Sequence, residues 1–375
     1  MKFKVSQEPL LQGVSKVSGV VPARTPLTFL YNIHALLTGD NLQLTASDGD
    51  VFLVTSVKVE GQEDGSVLIP AKPLQDLLRE LPGVELLLET TPEQHLLVST
   101  SRGQFTIPGE DPAKFPPAPE ERPPRMLTFA AEDMKGILEQ TTFAVSHDEL
   151  RPALTGLLLQ IKANEMRAVS TDGHRLVKLV KSGLEGPATA DIEVIVPLRS
   201  LNLLSRHLTA DGVQKVDLFL APNRVVFDTG QLIITSKVVE GKFPAYDAVI
   251  PKDNPHRLRV NVEKFSAAAK RVSIFANQIN RLVVLHLSAD AMKISAEDPE
   301  SGRRAQEELE AQFESSEASF EIGYNANYLL ESLRHVVGEE VEMRLGTPTS
   351  AGILHPAEKR EGEDLLMLLM PIRLQ

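Results

Sequence analysis

Apolar positions along this chain switch between two periods, and the switch recurs three times. The segments VSQEPLLQGVSKV (5–17), FAAEDMKGILEQT (129–141) and VNVEKFSAAAKRV (260–272) carry apolar residues at helical spacing. Leu10, Val14 and Val17 fall on one face in the first, Met134 and Leu138 in the second, Phe265, Ala269 and Val272 in the third. Each predicts a helix opening a repeat, with Ser6 (Pro9 just inside) and Asn261 as capping residues. A second set reads PAKPLQDLLREL (70–81), PLRSLNLLSRHL (197–208) and NANYLLESLRHV (325–336). Leu74, Leu201 and Leu329 align, as do Leu81, Leu208 and Val336, predicting an amphipathic helix of about three turns in each repeat.

Period-two alternation lies between the helices. GSVLIP (65–70), VDLFLAPNRVVFD (216–228) and GQLIITSKVV (230–239) predict antiparallel strands. LQLTASDGD (42–50), MRAVSTDGH (166–174) and MKISAEDPE (292–300) each end a strand in a turn carrying aspartate: Asp48, Asp172 and Asp298, 124 and 126 residues apart. Each unit therefore reads helix, strands, helix, strands, and the class is α+β. Two proline-rich joints separate the units: residues 108–124, with seven prolines, and GKFPAYDAVIPKDNP (241–255). Both contain KFP, and both predict an extended, semi-rigid connection. The expected domains are residues 1–122, 123–252 and 253–375.

Composition adds limits. There is no cysteine, which fits a reducing cytoplasm, and no apolar run approaches the roughly 20 residues of a membrane span. MKFKVSQEPLLQ lacks the features of a signal peptide. Tryptophan is absent and aromatics are 5%, which argues against stacking platforms for single-stranded nucleic acid. The net charge of −12 by itself speaks against general nucleic-acid binding. Its distribution changes that picture. Arg79, Arg206 and Arg334 hold one equivalent position in the three second helices, with Lys72 and Arg199 matching seven residues earlier and Asn327 in the third copy. Lys16 and Arg271 match in the first helices, with Gln140 between them, and Lys135, Lys264 and Lys270 add charge there. Side by side, such helices make a basic stripe that attracts phosphates on an acidic body.

The stretch VSTDGHRL (169–176) looks like acid-base chemistry, with Asp172 beside His174. The repeats argue otherwise: Asp50 and Glu300 stand where His174 stands, so the aspartate belongs to a recurring turn. There is no Walker A sequence, no Gly-x-Ser-x-Gly, no HExxH or other close histidine pair, and no complete calcium loop. Glu120–Glu121 reads as solvated linker charge. The reading is of a protein with no catalytic residues, no metal and no cofactor.

Four stretches together resemble the bacterial DNA polymerase III beta subunit family, the replicative sliding clamps. They are MKFKVSQEPLLQGVSKVSGVV at the start, VSTDGHRL in the middle, VEGKFPAYDAVIP at the second joint and LLMPIRL at the end. The resemblance covers the whole chain. It implies three similar domains, a ring closed by two chains head to tail, and passage of duplex DNA through a helix-lined hole without sequence reading. It also implies partners: the clamp loader, the replicative polymerase and other proteins that dock by a short, mostly apolar peptide. The DNA-facing residues implied are Arg24 (in VPARTP), Arg79, Arg151, Arg206, Lys270, Arg271 and Arg334. The implied peptide cleft, between the second and third domains, comprises Leu154, Thr171, Gly173, His174, Arg175, Leu176, Pro244, Val249, Asn325, Tyr328, Met370, Pro371 and Ile372. Ala248 stands where the family often has arginine. Ring closure would set Phe105 and Ile107, on an edge strand, against Ile274 and Phe275 of the other chain at the end of a helix 262–276, with Arg102 adding a charged contact.

Helix geometry points to the same assembly. Six helices set about 10 Å apart enclose a hole of about 9 Å, too narrow for a duplex whose major groove alone is about 12 Å wide. Twelve helices enclose about 28 Å, which admits it. Two rival readings are a protein scaffold that never meets DNA and a hydrolase centred on Asp172 and His174.

Overall fold

Each repeat contains two copies of one smaller module: a leading strand, a helix, then a three-strand meander. In the first repeat these are Lys2–Ser6, α1 (Gln7–Ser18) and the meander Asn32–Thr38, Asn41–Ser47, Val51–Lys58. The second copy is Gly65–Pro70, α2 (Ala71–Glu80) and Glu85–Thr90, His95–Ser99, Gln104–Pro108. The other helices are α3 (Ala131–Thr141), α4 (Leu198–Leu208), α5 (Val262–Ser273) and α6 (Ala326–Arg334). The computed structural model describes residues 1–374 apart from 120, 121, 124, 163–164, 185–190, 210–211 and 318, so the Glu120–Glu121 pair lies outside the described residues. The α+β expectation holds: the sheets are antiparallel, and α1, α2, α5 and α6 pack on their strands.

The leading strands correct the sequence reading. Residues 5–6, 129–130 and 260–261 belong to strands, not to helix starts. In KFKVS the inward Phe3 and Val5 are buried while Lys2 and Lys4 are partly exposed, a period of two that a helical template overlooks. Ser6 stands at the N-cap without a capping side-chain bond, whereas Asn261 Oδ1 accepts from Lys264 N at 3.0 Å. Helix α5 ends at Ser273, and residues 274–276 continue as a hydrogen-bonded turn.

The two modules of a repeat exchange their leading strands. Lys2–Ser6 pairs with Glu85–Thr90, and Gly65–Pro70 pairs with Asn32–Thr38. The second and third repeats do the same. The meanders then join end to end. Val51–Lys58 pairs with Ile233–Lys237, making an eight-stranded sheet, and Arg175–Lys181 pairs with Glu363–Leu369 in a nine-stranded one. The described residues form two compact units: residues 1–135 with 199–238, and residues 136–184, 191–198 and 239–374. Each sheet lies within one unit.

The predicted helix faces are the buried ones, from Leu10, Val14 and Val17 in α1 to Phe265, Ala269 and Val272 in α5. One core position works against burial. The Tyr324 hydroxyl is enclosed and has no hydrogen-bond partner among the described residues, and a Cβ placed on Gly352 would fall 2.2 Å from it. Burial raises the Tyr324 pKa above the ordinary phenol value. Because a buried hydroxyl without a partner costs about 1–3 kcal/mol, Tyr324→Phe is expected to leave stability unchanged or raise it by about 1 kcal/mol. A thermal melt of the variant against the parent checks this, and a drop in Tm would refute it.

Candidate functional site

The turn 172–174 is built by its own aspartate. Asp172 Oδ1 accepts from His174 N at 2.9 Å and from Arg175 N at 3.0 Å, and Gly173 takes φ +93°. That backbone conformation, and Arg151 Nη1 only 3.0 Å from where a Cβ would stand, make glycine the fitting residue there. Asp48 closes the equivalent turn of the first repeat, accepting from Asp50 N and Val51 N. Asp298 does so in the third, where bonds from Ser301, Arg303 and Asn277 hold its carboxyl down at about 2. All three aspartates are hairpin parts, as the repeats predicted.

The second unit gathers the proposed cleft around this turn. Strand Arg175–Lys181 runs beside Glu363–Leu369, and Met370 N donates to His174 O at 2.9 Å. The tail then crosses strand Phe320–Asn325, where Ile372 N donates to Gly323 O at 2.8 Å. Gly323 permits this close crossing, since a Cβ there would meet Leu374 at 2.8 Å and Leu282 at 2.7 Å. Tyr328, on α6, stacks on His174 with ring centroids 5.9 Å apart. Pro244 and Val249 flank Phe243 and Tyr246, which pack into one core with Leu154, Leu158, Val169, Leu176, Ile353 and Leu368. The sequence reading missed Phe243 and Tyr246 as the anchors of this segment, although the repeated KFP carried the signal.

Burial sorts the predicted cleft residues. Val249 (57% exposed) and Met370 (46%) are open apolar surface, and His174, Gly173 and Pro244 are exposed beside them. Leu154 and Leu176 were expected to line the cleft; both are buried in the core beneath it, Leu154 from the short helical turn Pro152–Leu154 and Leu176 from the strand Arg175–Lys181. Thr171 donates to Arg175 O, and Asn325 is occupied as the cap of α6, accepting from Asn327 N and Tyr328 N. Arg175 is also buried, held by Asp172, Glu331 and the Phe143 carbonyl. Pro371 and Ile372 are half-buried.

The cationic residues divide in the same way. Arg79, Arg206 and Arg334 sit in the last turns of α2, α4 and α6, exposed and with no carboxylate partner among the described residues. Arg24 and Lys270 are likewise exposed. Arg271, expected to face phosphate, bonds Glu307 through Nε at 3.0 Å. Arg151 bonds Asp148 and the Asp172 carbonyl, which ties it to the cleft turn. Lys16 is partly buried and donates to Gln231 Oε1, and Arg199 donates to Val20 O.

Two meander ends have no neighbouring strand among the described residues: Gln104–Pro108 and Arg303–Glu310. Phe105 is 38% exposed there, but Ile107, expected at a chain–chain contact, is only 6% exposed and lies in its own unit's core. Arg102 is exposed. Ile274 (65% exposed) and Phe275 (37%) stand out after α5, and Ile279 (88%), which sequence reasoning passed over, follows them. The edge Arg303–Glu310 was also missed: its charges on both faces hide its strand character while protecting it as an edge. Among the described residues no cluster of three His, Cys, Asp or Glu could hold a metal, and no helix is long and apolar enough to cross a membrane.

Comparison with known proteins covers the whole chain. Residues 1–119, 128–245 and 247–373 match the family models of the DNA polymerase III beta subunit N-terminal, central and C-terminal domains. The beta sliding clamp of Pseudomonas putida is 35% identical, and that of Escherichia coli K12 is 32% identical, each over 100% of both chains. The crystal structure of the DNA polymerase III subunit beta from Pseudomonas aeruginosa superposes with a TM-score of 0.93 at 32% identity over 100% of both chains. Another structure of the Pseudomonas aeruginosa sliding clamp, bound to griselimycin, gives a TM-score of 0.92 at 31% identity, again over 100% of both chains.

Proposed function

Because the chain belongs to the DNA polymerase III beta subunit family and is a DNA sliding clamp, we propose that it works as a non-catalytic, head-to-tail homodimeric ring in the cytoplasm. The ring encircles duplex DNA and holds the clamp loader, the replicative polymerase and other proteins through the cleft of Val249, Met370, His174 and Tyr328. Domain limits at 1–122, 123–252 and 253–375 fit its joints. One observation carries the DNA reading. An acidic chain repeats an exposed arginine, free of carboxylate partners among the described residues, in the last turn of every second helix. These arginines also suit the negative helix C-termini, a modest structural benefit. Such long side chains hold phosphates loosely and without reading bases. Arg24 and Lys270 support them. Arg151 and Arg271 contribute less, because their guanidinium groups are already engaged.

Sheet topology supports the dimer. Within the chain, the first meander of one repeat pairs by its last strand with the second meander of the next repeat. Applied once more, this rule pairs Arg303–Glu310 of one copy with Gln104–Pro108 of another, which closes a ring and removes both free edges.

Topology of the DNA decides the function. Protein placed by its clamp loader on nicked circular duplex is expected to stay bound through gel filtration and to leave within minutes when the circle is cut once. Replacing Arg79, Arg206 and Arg334 together by Gln should shorten residence on the circle while leaving release at ends intact. Equal binding to circular and linear DNA, or none to either, would reject encirclement; the latter outcome fits a protein-only scaffold.

A further inference from the structure

Five side chains form a continuous stack under the cleft. The His335 ring lies on Phe143, 4.2 Å between centroids and 5° from parallel. The Arg175 guanidinium carbon stands 5.2 Å from the Phe143 centroid and 4.9 Å from that of Tyr328. Tyr328 in turn stacks on His174. Three hydrogen bonds fix the guanidinium at the centre: Nη1 to Glu331 at 2.6 Å, Nη2 to the Phe143 carbonyl at 2.7 Å and Nε to Asp172 at 3.1 Å. His174 and Tyr328 belong to the cleft. Phe143, Glu331 and His335 do not.

We propose that Phe143, Glu331 and His335 are positioning residues for peptide binding, acting through Arg175 to hold the Tyr328 ring and the 172–174 turn in receiving geometry. The proposal rests on the cleft reading given above. Its physical basis is the number of restraints that meet at one buried cation. Asp172 ties the guanidinium to the turn that presents His174, and Glu331 ties it to α6, which presents Tyr328. A planar guanidinium between two aromatic faces gains cation–ring attraction from both and limits their tilt. Phe143 closes the underside, and His335 holds Phe143 flat. Burial lowers the His335 pKa, which favours a neutral ring that adds no third cation beside Arg175 and Arg334. The stack also joins the second repeat, which supplies Phe143, His174 and Arg175, to the third, which supplies Tyr328, Glu331 and His335. The relative placement of the cleft's two walls thereby also depends on Phe143, Glu331 and His335, which lie outside the predicted cleft set.

Fluorine NMR of the full chain labelled with 3-fluorotyrosine tests this, since only four tyrosines are present and Tyr328→Phe assigns the signal. Griselimycin, found on the Pseudomonas aeruginosa relative, serves as the binding probe, with Met370→Ala as the control that reports on the cleft itself. Phe143→Leu and Glu331→Gln are expected to move the Tyr328 resonance in unliganded protein and to weaken griselimycin about fivefold to tenfold. Phe143→Tyr keeps the ring and should restore both readouts to within about twofold, a rescue that mere volume filling by Leu cannot supply. If Met370→Ala weakens binding while Phe143→Leu and Glu331→Gln bind as the parent does, the proposal is overturned and the cleft stands. Undiminished binding by Met370→Ala overturns the cleft reading, and the proposal with it.

Discussion

Phe105→Asp is expected to turn the protein from a dimer into a 41.1 kDa monomer by light scattering, and to abolish its retention on nicked circles. The substitution removes an apolar side chain from the free strand Gln104–Pro108. It also sets a carboxylate against an edge, Arg303–Glu310, that holds three carboxylates, Glu307, Glu308 and Glu310, against two guanidinium groups, Arg303 and Arg304. Like charges facing across paired strands are unfavourable, and loss of one closure opens the whole ring. Both effects act outside the folded unit, so the monomer should melt close to the parent's Tm. Phe105→Arg separates the two causes: it loses the same apolar area but meets acidic neighbours, and should dimerise more strongly than the aspartate variant. A Phe105→Asp protein that remains twice the chain mass at micromolar concentration would remove Gln104–Pro108 from the interface.

The second large effect concerns acid. His207 in α4 is buried against Thr229, with its Nε2 2.9 Å from the Thr229 hydroxyl. Burial and the nearby Lys16 ammonium push its pKa from 6.5 down to about 4. The folded state therefore keeps His207 neutral at a pH where the unfolded chain already takes up a proton. Stability from this site is complete above the unfolded pKa of 6.5 and is lost as pH falls through the window to about 4. The full loss is on the order of 3 kcal/mol. Thermal melts between pH 7.5 and 4.5 should show the first unit, which contains His207, losing stability faster than in a His207→Gln variant. Glutamine retains a hydrogen-bonding group but does not titrate. Parallel Tm curves for the two proteins would assign the acid sensitivity to other groups.

The triplicate organisation was legible because it is written in local periodicity. Leu74, Leu201 and Leu329 recur at helical spacing, and each is fully buried. Asp48 and Asp172 recur at turns because an aspartate closing a hairpin can use its own backbone neighbours, whereas Asp298 is held by the side chains of Ser301, Arg303 and Asn277. The doubled module inside each repeat was not legible. Its leading strands are short, directly precede helices and merge into the helical pattern, as KFKVS does before QEPLLQ. Their partners lie far along the chain: Phe3 pairs with Leu88.

Site residues divide along the same line. The turn 172–174 was readable from its own motif, whereas Tyr328, Val249 and Met370 were expected at a cleft only through the family resemblance. Neither motif nor resemblance could tell Leu176, buried in the core, from Met370, open to solvent, or Arg79, without a carboxylate partner among the described residues, from Arg271, bonded to Glu307. Side-chain direction and charge partnership depend on which distant strand or helix packs alongside, and no single stretch of chain contains both members of such a contact. The amino-acid order alone thus determined repeat number, fold class and motif positions, all governed by interactions within a few residues. Tertiary packing decided strand exchange, the free edges and which cations remain available, since those depend on contacts between residues scores of positions apart.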